Sequence, residues 1–300
     1  MMNTLVVRGN VFLFLAAIIW GTTFVAQRVG MDHIGPLTFN FTRFFLGALF
    51  LAPFALGAYR EEQRSSTKLS VGKWLPLWGG GLVGLLLCIG INLQQIGLIY
   101  TTAGKAGFIT GIYVILVPMI GALFGLKTGW GVWVGAPLGA VGLYLMSITE
   151  SFSLSPGDGW IVACSFAWAG HILLVGWLSP KMNFFILAFV QAVVCAFLSF
   201  TGALIAEEII FSSILNTWFP LIYSGVVTTG IGFTLQVAGQ KYSSPAHAAI
   251  IMQLETVFAA LSGWLILGEV MGPKSLVGAG LMLAGMLFAQ LRVFRKETGP

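Results

Sequence analysis

Ionisable side chains set in apolar sequence mark where chemistry could occur. The run Gln253-Leu254-Glu255-Thr256-Val257-Phe258 puts a carboxamide and a carboxylate into a segment that is otherwise apolar or small. Two roles are open to Glu255. It could exchange a proton against a cationic or amine-bearing ligand in a low-dielectric cavity, or hold a permanent bond across helices that fixes packing. Arg43, in Thr42-Arg43-Phe44, is the natural counter-charge for Glu255. If it instead faces a cavity, its planar fork of donors suits a carboxylate. His171 could switch charge near neutral pH or stand neutral against a neighbouring helix. Trp20 and Trp168 could form aromatic walls for a cationic or planar ligand, or simply pack. Cys88, Cys164 and Cys195 fall in apolar sequence without metal-ligand spacing and read as packed thiols, so neither a metal nor a cofactor is expected.

The elements that position these residues follow from composition. Of 300 residues, 57% are hydrophobic and 8% charged, about a third of the charged share of an ordinary soluble domain. Charges gather in intervals such as 60–73 and 292–297, and the apolar stretches between them are long enough to cross a bilayer as helices. Continuous apolar runs without dyad alternation argue against a β-barrel. Ten spans are expected, at residues 10–29, 36–58, 74–98, 103–125, 130–148, 158–178, 183–205, 217–240, 245–267 and 274–293. Arg8 before the first run resembles the start of a signal peptide, but no small-residue cleavage pattern follows, so the run is read as a span.

The net charge of +5 reflects basic residues at segment ends, with no aromatic-interleaved patch for nucleic acid. Placing the N-terminus inside collects eleven Lys and Arg on the inner side against Arg28, Lys105 and Lys274 outside, which predicts both termini cytoplasmic. Glu255 lies ten residues after Pro245, about 15 Å into a core of about 30 Å. An ionised group at that depth costs roughly 2.5–3.5 kcal/mol on insertion scales, so each one asks for a partner or a polar cavity.

Internal repetition organises the set. A shift of 148 residues lays Gly9–Trp20 on Gly157–Trp168, Thr23 on His171 and Arg43 on Gln191. A shift of 142 lays Gln94 on Gln236, Lys105 on His247, Tyr113 on Glu255 and Tyr100-Thr101-Thr102 on Tyr242-Ser243-Ser244. Five spans per unit is odd, so the second unit enters the membrane from the opposite side. Inverted repeats of this kind place a binding site between the halves near the midplane, and rocking gives alternating access. The expected substrate-contacting set is Trp20, Thr23, Arg43, Tyr113, Trp168, His171, Gln191 and Glu255. Gln94 and Gln236 lie near span ends and read as gate or cap groups, while Lys105 and His247 read as interfacial anchors. Pro118 lies deep enough to kink or loosen its helix.

Trp20-Gly21-Thr22-Thr23-Phe24, Thr42-Arg43-Phe44, Leu254-Glu255-Thr256-Val257-Phe258 with Leu267-Gly268-Glu269, and Val277-Gly278-Ala279-Gly280-Leu281 resemble the two EamA-type repeats of the drug/metabolite transporter superfamily. The resemblance covers nearly the whole chain. It implies an all-α membrane fold of two inverted five-helix repeats, residues 10–149 and 157–294, with spans 1–4 and 6–9 around a central cavity and spans 5 and 10 to the side. It also implies a bacterial inner-membrane metabolite transporter working by alternating access, and export. Two departures stand out. Thr256 replaces the usual proline, which leaves span 9 more regular than the family pattern, and Gly125-Leu126-Lys127 stands where many members have Gly-Glu.

Arg43 favours an amino acid or similar zwitterion as substrate. Glu255 with Trp20 and Trp168 favours proton-coupled efflux of cationic drugs or toxic amines. An integral-membrane enzyme acting on lipid-linked substrates is the rival of another class, although the chain offers no His/Asp metal cluster, nucleophile set or nucleotide-binding loop. The expected partners are a small molecule, the lipid bilayer and, for the efflux reading, protons, with the chain a monomer or homodimer.

Overall fold

The computed structural model describes residues 4–64, 74–100, 103–147, 156–267 and 272–295, and all regular structure among them is helical. The helices are α1 (Thr4–Gly30), α2 (Pro36–Arg64), α3 (Leu75–Tyr100), α4 (Ala103–Gly111), α5 (Tyr113–Leu123), α6 (Trp130–Ser147), α7 (Pro156–Leu178), α8 (Phe184–Ala206), α9 (Phe211–Asn216), α10 (Trp218–Ile222), a π-helix (Tyr223–Gly232), α11 (Phe233–Gln240), α12 (Pro245–Met252), α13 (Glu255–Leu267) and α14 (Pro273–Arg295). Seven helical runs are long and apolar enough to cross a membrane, the run from Trp218 to Gln240 and that from Pro245 to Ile266 each counting as one. Three shorter apolar helices, Ile109–Leu123, Trp130–Leu145 and Pro273–Ala289, accompany them. These runs fall on the ten apolar segments marked in the sequence. Leu267 closes α13, and the Gly268-Glu269 that follows it lies outside the described residues.

Packing pairs early helices with late ones. α2 lies along α8, α3 along α7 and α8, α1 along α11, α13 and the π-helix, and α6 along α14. Small residues permit the closest approaches, and matched positions repeat them. A Cβ at Gly9 would sit 2.9 Å from the Gly239 carbonyl oxygen and 3.0 Å from Tyr242 Cβ, while one at Gly157 would sit 2.5 Å from the Gly97 oxygen and 3.0 Å from Tyr100 Cβ.

Two spans are broken at equivalent points. Between α4 and α5 the chain makes a tight turn at Ile112, whose N–H bonds the Ile109 oxygen (3.2 Å). Between α12 and α13, Leu254 N–H bonds Ile251 O and Thr256 N–H bonds Gln253 O, both at 3.1 Å. Tyr113 and Glu255 are the first residues of the helices that resume. The regular span 9 expected from Thr256 is therefore not what forms. The Gln253 carboxamide fills space left by glycine on the facing helix, where a Cβ on Gly139 would lie 2.6 Å from its oxygen, and the break forms without a proline. Pro118 lies inside α5, six residues beyond the break at Ile112.

The π-helix is a further asymmetry. A Cβ at Gly84 would lie 3.0 Å from the Gln191 oxygen, and one at Gly225 3.0 Å from the Arg43 oxygen, so these two glycines occupy matched places 141 residues apart. Gly97 and Gly239, also matched, are 142 apart. The later segment thus carries one extra residue between these points, and the π-helix absorbs it, since a π turn is an α turn widened by one residue.

Candidate functional site

The two helix breaks and the π-helix meet at one cavity. It is lined by Trp20, Thr23 and Gln27 of α1, Arg43 of α2, Ile91 and Gln94 of α3, Thr110 of α4, Tyr113 of α5, Trp168 and Ile172 of α7, Thr228 of the π-helix, Phe233 and Gln236 of α11, Met252 of α12 and Glu255 of α13. Five repeat-related pairs lie on this wall: Trp20 with Trp168, Ile91 with Phe233, Gln94 with Gln236, Thr110 with Met252 and Tyr113 with Glu255. The cavity offers about 50 Å³ to the centres of water-sized molecules, against the ~10–15 Å³ that one water needs. It admits a few waters or a small polar group, so a larger ligand requires the helices to part.

Arg43 is 1% exposed, and its Nε–H donates to Asn40 Oδ1 at 2.9 Å. Its Nη2 is buried with no acceptor. The guanidinium carbon stands 5.1 Å from the Phe44 ring centre and 5.6 Å from that of Phe39. Among the described residues no hydrogen bond or ion pair engages the Glu255 carboxylate, which is half-buried on the cavity wall. Arg43 and Glu255 thus share a cavity without pairing. Trp20 Nε1–H and Gln236 Oε1 are also buried without partners, and buried polar atoms in this state are uncommon enough to ask for water or a ligand.

Phe233 carries no polar marker in the sequence, yet it is the hub of the aromatic wall. Its ring centre is 5.1 Å from Trp20, 5.9 Å from Phe44 and 6.4 Å from Trp168, which it stacks at 6°. Asn40 and Asn92 were likewise unmarked. Asn40 lies three residues before Arg43, a spacing that shares a helix face, and this was a signal available in the sequence.

His171 and Gln191 stand apart from the cavity wall. His171 Nε2 and Gln191 Oε1 meet at 3.0 Å, joining α7 to α8, and both residues are buried. Thr23, the counterpart of His171, bonds the π-helix instead. Its hydroxyl donates to Ile19 O (2.7 Å), so Thr228 donates to Thr23 (2.5 Å). Thr22 and Tyr223 are joined at 2.6 Å. Gln94 Nε2–H donates to Thr110 (3.3 Å), and Gln236 Nε2–H to Gln240 (3.1 Å). His247, expected as an interfacial anchor, is instead 4% exposed in the first turn of α12, where its N–H bonds Ser244 Oγ (3.4 Å). The Lys105 side chain lies outside the described residues.

An all-helical chain with many apolar spans, broken helices and a buried polar cavity where they resume has the form of a membrane transporter. The chain belongs to the EamA-like transporter family, whose model matches residues 7–148 and again 155–290. A protein of Archaeoglobus fulgidus named "Uncharacterized transporter" is 32% identical over 94% of this chain and 85% of its own. The "Probable terminal-alkyne amino-acid exporter" of Streptantibioticus cattleyicolor is 22% identical over 95% and 94% of the two chains. A solved crystal structure aligns with TM-score 0.77 at 18% identity, over 97% of this chain and 99% of its own, and shares the fold.

Proposed function

We propose that this membrane transporter exports an amino acid or similar zwitterion across the bacterial inner membrane by alternating access, as two inverted five-helix repeats, residues 10–149 and 157–294, with both termini cytoplasmic. The observation that carries the reading is a cavity holding one buried cation and one carboxylate that do not pair. A substrate carboxylate completes the Arg43 fork, and a substrate ammonium meets Glu255 and the Gln236 oxygen. Five repeat-matched pairs on the cavity wall support the inverted arrangement. The direction rests on the family and on the relative named as an exporter.

Arg43→Ala abolishes flux of labelled amino acid in proteoliposomes, and Arg43→Lys, which keeps the charge and loses the fork, retains little. Wild-type rates in folded Arg43→Ala protein would overturn the assignment. Proton-coupled efflux of cations is the second reading, favoured by an unbonded Glu255 on a cavity wall that also carries two indoles. It predicts cationic dye flux that follows a pH gradient and survives Arg43→Ala.

A further inference from the structure

Arg43 is embedded in a chain of hydrogen bonds that runs away from the cavity through three helices. Its Nε–H donates to Asn40 Oδ1 (2.9 Å), Asn40 Nδ2–H donates to Asn92 Oδ1 (2.8 Å), and Asn92 Nδ2–H donates to Ser199 Oγ (2.8 Å) and to the Cys88 carbonyl (2.9 Å). The direction of this chain is forced. A guanidinium has donors only, so Asn40 must turn its oxygen toward Arg43. That leaves the Asn40 NH₂ facing Asn92, which must in turn present oxygen to Asn40 and NH₂ to Ser199. Every amide dipole in the series therefore points its negative end toward the guanidinium.

The consequence is electrostatic. A buried arginine with a purely architectural role is ordinarily neutralised by a carboxylate, because an uncompensated buried charge is strongly destabilising. Here amide dipoles and the Phe44 face solvate the cation without cancelling its charge. Asn40, Asn92 and Ser199 are 0%, 9% and 1% exposed, so water does not replace them. The relay holds Nε from behind and leaves Nη2 without a partner. We infer that Asn40 and Asn92 are positioning residues that keep Arg43 uncompensated and its outer edge aimed for a ligand carboxylate, and so set selectivity for an anionic group over its neutral isostere. The inference rests on the substrate class proposed above.

Asn40→Asp tests it with a nearly isosteric change. The new carboxylate would accept the same Nε–H and supply the missing counter-charge from within, so the cavity would lose its pull on an external carboxylate. Asn92→Asp places the same charge one amide farther away and gives a smaller effect. The readout is ligand-induced stabilisation of detergent-purified protein by an amino acid and by its amide, in wild type and in both variants. The expected result is that wild type prefers the acid, that Asn40→Asp lowers the acid-to-amide preference by about 10- to 100-fold, as befits loss of a charge-assisted hydrogen bond, and that Asn92→Asp lowers it less. Folding of each variant is read from its ligand-free melt. An Asn40→Asp protein that folds and keeps the wild-type preference overturns the positioning role and leaves the proposed function standing. A wild type that responds to neither acid nor amide overturns the proposed function, and the inference falls with it. Should Asn40→Asp fail to fold, Asn92→Asp decides the matter, with an unchanged preference counting against the relay.

Discussion

Positions 43 and 191 lie 148 residues apart on helices that pack along each other, yet they have taken opposite roles. Arg43 lines the cavity, keeps one buried nitrogen without a partner and is supported by amides of α2 and α3. Gln191 turns away, and its oxygen is bound to His171 of α7. Thr23 on α1, matched to His171, bonds the π-helix across the cavity edge. Around position 43 the wall is thus charged and open to a ligand, while around position 191 the side chains are neutral and closed on each other. Duplication supplied two similar frames, and a few polar substitutions together with one inserted residue made them unequal. A zwitterion, with unlike ends, suits a cavity with unlike walls.

The largest expected effect concerns the inserted residue. Deleting Val227 from the π-helix returns that span to α winding with both flanks in place, because a π turn differs from an α turn by one residue. The variant folds, within about 0.5–3 kcal/mol of wild type, with reduced transport. Deleting Leu85 from α3 removes an exposed side chain but rotates everything after it by about 100°, carrying Asn92 and Gln94 off their faces. That variant is expected not to yield monodisperse protein. Equal tolerance of the two deletions in size-exclusion and thermal-melt assays would mean that the π-helix is no insertion.

Next in size is Gln191→Arg, which copies the Arg43 side chain into the closed frame. No amide relay awaits it, since the residues matched to Asn40 and Asn92 are Ala188 and Thr234. A loss of about 3–5 kcal/mol, the cost of a buried charge without a partner, is expected. A melt close to wild type would show that this side, too, can hold a cation. The smallest effect is the His171–Gln191 bond itself. A double-mutant cycle with His171→Ala and Gln191→Ala should give a coupling near 0.6 kcal/mol and no more than about 1.7. Transport should survive in all three variants, because neither residue lines the cavity.

Much of the fold was legible because lipid imposes one-dimensional rules. Apolar runs, basic residues at their ends and repeated Gly and Tyr markers located the segments, and the depth arithmetic for Glu255 put a carboxylate near mid-membrane, with Arg43 as its natural counter-charge. The cavity wall holds both, with Trp20, Thr23, Tyr113 and Trp168 beside them. Phe233 and Ile91 were hidden because an apolar residue in an apolar span carries no signal of its own, although the 142-residue shift relates them. The breaks at Ile112 and at Gln253-Leu254 were hidden because no proline marks either of them. Facing is also what separated His171 from Glu255, since depth says nothing of rotation about a helix axis.

The proposed cavity recognises both ends of a zwitterion. Proteoliposome counterflow tests it most directly, with labelled amino acids and, in parallel, cationic dyes, each measured with and without a pH gradient. Amino-acid counterflow is expected that is competed by molecules bearing both charges and only weakly by the corresponding amides or amines. Dye flux driven by the pH gradient, with no amino-acid counterflow, would contradict it.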